Sequence, residues 1–166
     1  MWQPAALSFP LSPGVNYLKI LLLSEEFSTG ENAITLGITL PFNTVEELNA
    51  FDEILRDSPE KKKISQSVMA TRCTGSTSLK ESLTATLSGL LSKQLQLEYS
   101  ACGKETRGHT KLSFKDTSIY GCLEAVLIEI HSVSATLIVS KMSRWFTGAI
   151  DRSGNGRRRT APRPRQ

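Results

Sequence analysis

The sequence predicts an all-α domain of about five helices, preceded by a weakly ordered N-terminal segment and followed by a disordered basic tail. Three observations predict it. Serine or threonine helix caps stand directly before apolar runs. Those runs repeat at the helical period, and polar or glycine-containing turns separate them. The last stretch is polar and arginine-rich, with too few apolar residues to offset its ordering entropy. Residues 1–40 therefore read as lead-in, 41–148 as the helical domain and 149–166 as the arginine-rich tail.

In the lead-in, Pro4, Pro10, Pro13 and Gly14 break the first stretch, and Leu18 to Leu23 is too short to stand alone as a helix. Ile34, Leu36, Ile38 and Leu40 alternate with smaller residues at the strand period, but a single strand without a partner is not stable. The first helix opens on Thr44 and Glu47, a capping box, with Val45, Leu48, Phe51 and Leu55 on one face. Ser58 and Pro59 start the second, as N-cap and first helical residue, with Ile64, Val68 and Met69 inward. Gly75 closes that region. Ser78 and Glu81 form another capping box, and Leu79, Leu83, Leu87, Leu90 and Leu91 give the cleanest helical period in the chain. Leu95 and Leu97 make a short apolar pair before Tyr99. Residues 100–113 read as a loop marked by Gly103 and Gly108. Asp116 or Thr117 caps the fourth helix, with Ile119, Leu123, Val126, Leu127 and Ile130 inward. Ser134 begins the fifth, which carries Ile138, Met142, Trp145 and Phe146 on one face, and Gly148 is its expected stop. An apolar stripe on each helix implies one shared core.

The formal charge of +4 over 166 residues is unevenly placed: −2 over residues 1–43, +1 over 44–146 and +5 over 147–166. The sequence pI of about 9.1 is thus a property of the tail, and the body is close to neutral. The longest aliphatic run, Ile20 to Leu23, predicts neither a membrane-spanning helix nor the apolar segment of a secretory signal.

Three widely spaced cysteines, Cys73, Cys102 and Cys122, do not form a disulfide framework, and no Asn-x-Ser/Thr acceptor occurs. Together these predict an intracellular chain. Cys102, His109, Cys122 and His131 lack the tight paired spacing of zinc ligands, so no metal is expected. There is no Gly-x-Ser-x-Gly elbow and no Gly-x-Gly-x-x-Gly. Gly103-Lys104 has Glu105 where a phosphate-binding loop needs Ser or Thr. The chain is expected to be no enzyme and to use no cofactor, membrane or small-molecule substrate.

Leu40-Pro41-Phe42-Asn43-Thr44-Val45-Glu46-Glu47-Leu48, the run Leu90 to Tyr99, the loop from Gly103-Lys104 to Phe114, Ile119-Tyr120, Glu124-Ala125-Val126 and the stretch from Ile138 through Trp145-Phe146 to Asp151-Arg152 follow one another in an order that resembles the domain of unknown function 4806 family. The resemblance runs from Leu40 to Arg159. It departs at Ala101, where the family has an aromatic, at the lone Gly75, and at Thr136-Leu137, which replace acidic residues. Residues 79–130 are also similar, more weakly, to the BEN domain. That resemblance implies a helical chromatin module that binds DNA and partner proteins.

The function these features predict is a non-enzymatic binding module associated with DNA or chromatin. Its candidate contacts are Lys104, Arg107, Lys111 and Lys115 in the loop and Arg157, Arg158 and Arg159 in the tail, since flexible cations neutralise phosphates without reading bases. The arginine triplet also fits a nuclear import pattern, one common by chance. The alternative is a protein-interaction or self-association module without nucleic-acid contact, anchored by Met142, Trp145 and Phe146. The helical spacing of those three favours the core instead. Lys61-Lys62-Lys63 reads as a solvated helix face.

Overall fold

Local capping chemistry decides where each helix begins. In the computed structural model, which describes residues 39–106 and 108–152, Thr44 Oγ1 accepts the Glu47 amide at 3.2 Å, while Glu47 Oε2 accepts the Asn43 amide at 2.7 Å. Helix α1 then runs Val45–Asp57. Ser58 ends α1 and caps α2, Pro59–Cys73, by accepting the Lys61 amide at 3.3 Å. Gly75 lies at φ +84°, a left-handed value suited to glycine, and turns the chain out of α2. Ser78 caps α3, Leu79–Leu90, and Glu81 reaches back to the Thr77 amide at 2.8 Å. Those hydrogen bonds, the backbone one foremost, hold the Glu81 carboxyl below its usual pKa. Thr117 caps α5, Ser118–His131, and Ser134 caps α6, Ala135–Thr147.

The all-α class is confirmed, and all five expected helices are present. Two short helices add to them. The Leu95 and Leu97 pair becomes α4, Leu95–Glu98, and α7 spans Ala149–Arg152. Gly148 caps the end of α6 as expected, but residues 149–152, read as the start of the tail, are helical because Gly148 does not take a left-handed turn. Its φ is −77°, and the Arg152 amide bonds its carbonyl at 3.2 Å, so the helical backbone resumes. The lead-in over 1–38, the tail from 153 onward and Arg107 lie outside the described residues.

The segment 99–113 is more ordered than a loop. Strand β1, Tyr99–Ser100, pairs in parallel with β4, Leu112–Ser113. Between them β2, Glu105–Thr106, and β3, His109–Thr110, form an antiparallel hairpin. Phe42 makes an isolated parallel bridge to Leu91, with its amide on the Leu90 carbonyl at 2.8 Å. This bridge ties the chain ahead of α1 to the end of α3.

Helix α5 is the centre of the molecule and packs on α1, α2, α3 and α6. Leu48, Leu55, Leu87, Ile119, Leu123, Leu127, Ile138 and Met142 are fully enclosed, as their helical spacing predicts. Phe114, also fully enclosed, is the junction of an aromatic cluster. Its ring centroid lies 6.1 Å from Tyr99, 6.5 Å from Tyr120 and 5.7 Å from Phe146. The two tyrosine contacts are edge-on and the Phe146 contact is tilted; aromatic pairs of this kind add about 0.5–1.5 kcal/mol each to the area term. They clamp the β1–β4 segment against α5 and α6.

Candidate nucleic-acid interface

The β1–β4 ladder determines where the loop lysines go. Ser100 Oγ accepts the Lys104 amide at 2.8 Å, and the Lys104 carbonyl accepts the Lys111 amide at 3.3 Å. Gly103, at φ +69°, makes the close turn beside Ser113. The loop closes on itself, and Lys104 and Lys111 line one groove of about 460 Å³. Ser100 and Cys102 from the loop share it with Phe146 and Thr147 from α6. Lys115 is exposed but does not line this groove. The structure thus brings together two of the four predicted loop cations and leaves Lys115 apart. Arg107, Arg157, Arg158 and Arg159 are outside the described residues.

A second groove, of about 480 Å³, flanks the same helix. Lys80, from the first turn of α3, faces Lys141 and Arg144 of α6. Leu83 and Trp145 are its buried apolar lining, and Arg152 closes one end. At about 100° per residue, Lys141, Arg144 and Trp145 lie on one flank of α6, and Ser143, Phe146 and Thr147 on the other. Sequence reading missed Lys80, Lys141 and Arg144. The available signal was that α6 carries two cations three positions apart and no acid.

Neither groove is lined by a carboxylate. Among the described residues, none of Lys80, Lys104, Lys111, Lys141 and Arg144 makes an ion pair. Glu81, the acid next to Lys80, is turned toward Thr77. Each groove thus gathers cations without a lining carboxylate, although Glu105 adjoins Lys104 and Asp151 stands between Ile150 and Arg152 in the chain.

Arg152 is different. Its Nη2 donates to the Trp145 carbonyl at 2.6 Å and to Gln96 Oε1 at 3.2 Å, and its Nε donates to the same Gln96 oxygen at 3.3 Å. Its Cζ lies 4.1 Å from the centroid of the Trp145 ring. Burial pulls its pKa below the usual guanidinium value. Gln96 in turn donates to the Leu91 carbonyl at 3.0 Å. Arg152 is thus a structural tie that fixes the last described turn to α4 and α6.

Trp145, Phe146 and Met142 are 8%, 3% and 0% exposed, so they close the core and form no surface anchor. Tyr120 donates to Glu124 Oε1 at 2.6 Å, and burial together with that bond raises its pKa. Burial likewise raises the Cys122 thiol. Cys102 is exposed, whereas Cys73 and Cys122 are buried. His131, which has no partner at a recognised sequence spacing, meets Ser82 Oγ at 2.8 Å. Ser82 is completely enclosed. No carboxylate joins this pair among the described residues, so it lacks both the access and the orienting acid of a nucleophilic dyad. No cluster of three His, Cys, Asp or Glu side chains gathers among the described residues. No single helix among them is long and apolar enough to cross a membrane.

Comparison of the chain with family models, with curated proteins and with solved structures finds no match in any of the three.

Proposed function

We propose that the chain is a non-enzymatic binding module for polyanions, with the nucleic-acid backbone as its ligand. The observation that carries this reading is the pairing of Lys104 and Lys111 across the β2–β3 excursion, in a groove with no lining carboxylate. Cations without ion-pair partners suit phosphate contacts of modest number, and the five arginines beyond Arg152 add to the chain's positive charge, even though a near-neutral body by itself suits protein interaction better. Such contacts hold a duplex without reading its sequence. The competing reading, a protein-interaction or self-association module, rested on Met142, Trp145 and Phe146, which are buried, and on the near-neutral charge of the body, which is unchanged. An intracellular and nuclear placement accompanies the proposal, because that is where the ligand is.

The test is duplex binding by the full chain at two salt concentrations, alongside Lys104→Ala/Lys111→Ala and Arg157→Gln/Arg158→Gln/Arg159→Gln. Expected is salt-dependent binding whose logarithmic slope falls by about 1 for each phosphate contact removed. A full chain that does not bind duplex at low salt refutes the reading. In that case light scattering tests self-association instead.

A further inference from the structure

We infer that the groove between α3 and α6 is a small-molecule site for an organic phosphate monoester. It is separate from the loop groove and independent of the reading above.

Charge sets the ligand class. Lys80 of α3 and Lys141 and Arg144 of α6 line one concave surface, and none of the three makes an ion pair among the described residues. Lys80 and Arg144 are exposed, and Lys141 is half-buried. Arg152 closes one end, but its guanidinium is already bound to Gln96 Oε1 and the Trp145 carbonyl. Glu81 adjoins Lys80 and Asp151 adjoins Arg152 in the chain, yet Glu81 is bound to Thr77 and neither acid lines the groove. A backbone diester carries one charge for each phosphate, whereas a monoester carries about −1.5 to −2 and presents three strong acceptor oxygens. Three uncommitted cations in one concavity match the monoester. An arginine fork takes two phosphate oxygens at once, while a lysine acts as a point charge.

A further donor belongs to the same lining. The Trp145 indole N–H is enclosed and has no hydrogen-bond partner among the described residues, although buried donors ordinarily find an acceptor. An acceptor-rich occupant suits a lining residue with an unspent donor.

Size and floor extend the class beyond a bare anion. The groove holds about 480 Å³, within the range of about 300–1,000 Å³ of small-molecule sites. Leu83 and Trp145 are apolar lining, and Lys80 and Lys141 bring aliphatic stems. A charged head on a small apolar body uses both. The lining has no carboxylate or histidine to act as general base, and the Thr84 hydroxyl is spent on the Lys80 carbonyl at 2.8 Å. The site therefore holds the ester and does not hydrolyse it.

The experiment follows the full chain by NMR. The sequence has two tryptophans, Trp2 and Trp145, so Trp2→Phe leaves one indole N–H resonance as a reporter in the groove. Phenyl phosphate, inorganic phosphate and benzoate are titrated at about pH 8, where a monoester is a dianion because its second pKa is about 6. Phenyl phosphate is expected to shift the reporter saturably, and the other two to bind at least about tenfold more weakly. Lys80→Ala/Arg144→Ala is expected to weaken phenyl phosphate by about 100-fold, about tenfold for each cation. The charge-preserving Lys80→Arg/Arg144→Lys should retain most of the binding, which separates charge loss from misfolding, and Lys104→Ala/Lys111→Ala should leave it unchanged. A reporter that does not move, or that moves alike in the alanine pair, overturns the inference. Inorganic phosphate binding as tightly as phenyl phosphate overturns the organic body, and benzoate doing so overturns the dianion. Displacement of phenyl phosphate by duplex would assign the groove to the polyanion and overturn a separate site. Duplex that fails to bind while phenyl phosphate binds refutes the loop reading and supports this one.

Discussion

Asp52 Oδ1 accepts the backbone amide of Ile119 at 3.0 Å, across 67 residues of sequence. The bond ties the middle of α1 to the second position of α5. Helix starts leave four amides unpaired, and the Thr117 side chain accepts only the Tyr120 amide. Asp52, 5% exposed, supplies a further acceptor from another helix, and its negative charge lies at the positive end of the α5 dipole. Its other oxygen holds Arg56 at 3.2 Å. Asp52→Ala leaves a buried amide without a partner and is expected to cost about 1–3 kcal/mol. Asp52→Asn keeps an acceptor and should cost less than half as much. Urea denaturation of both variants checks the order. Equal losses would mean that packing rather than the bond matters.

That bond also marks the limit of what the sequence discloses. Thr44-Glu47, Ser78-Glu81 and Ser58-Pro59 are contained within a few residues, so their chemistry is legible and each becomes a helix start. The periodic leucines of α3 face the core for the same reason. Asp52 stands on the core face of α1 beside Phe51, but the amide it serves belongs to a helix whose placement depends on every intervening turn. Phe114 is invisible to periodicity because it lies in an aperiodic segment, and its burial depends on Tyr99, Tyr120 and Phe146. The interface divides similarly. Lys104 and Lys111 share a glycine-flanked stretch and can be found by composition. Lys80 and Arg144 are 64 positions apart, and only the packing of α3 on α6 makes them neighbours.

Ser132 ends α5 in the left-handed region, at φ 51°, and its amide bonds the Ile128 carbonyl at 2.9 Å. This turn redirects the chain by 113° into α6. A side chain in that conformation costs about 1–2 kcal/mol, partly offset in glycine by the greater freedom of its unfolded chain. Ser132→Gly is therefore expected to stabilise by about 0.5–1 kcal/mol, read as a higher urea midpoint with unchanged slope. Ser132→Val, β-branched at the same angle, should lower the midpoint. A destabilised glycine variant would mean that the serine makes a contact worth more than the strain.

Burial lowers the His131 pKa from 6.5, so the folded state takes up this proton less readily than the unfolded chain. The linked stability is fully present above the unfolded value of about 6.5 and is lost as pH falls through the lower folded value. His131 faces Ser82 from α3, and its other neighbours in the last turn of α5 include Glu129. Wild type should lose stability between neutral pH and about pH 5 faster than His131→Gln, which cannot take up the proton. Urea midpoints across that interval measure the difference. Parallel curves would show that His131 titrates alike in both states.

Arg152 fastens the last described turn to the rest of the domain. It holds Gln96 with two bonds, reaches the Trp145 carbonyl and covers the Trp145 ring. A guanidinium hydrogen bond contributes about 1.5–3 kcal/mol and a partly shielded cation–aromatic contact about 0.5–2 kcal/mol. These do not simply add, because one side chain makes both. Arg152→Ala is expected to cost about 2 kcal/mol, and Gln96→Ala less, since Arg152 keeps the Trp145 carbonyl. Lys at this position retains charge but cannot span both acceptors with a planar fork, so Arg152→Lys should recover little. A chain cut after Ile150 should therefore melt lower than one cut after Arg152 by about the cost of Arg152→Ala. Equal melting of the two truncations would leave Arg152 with no structural part.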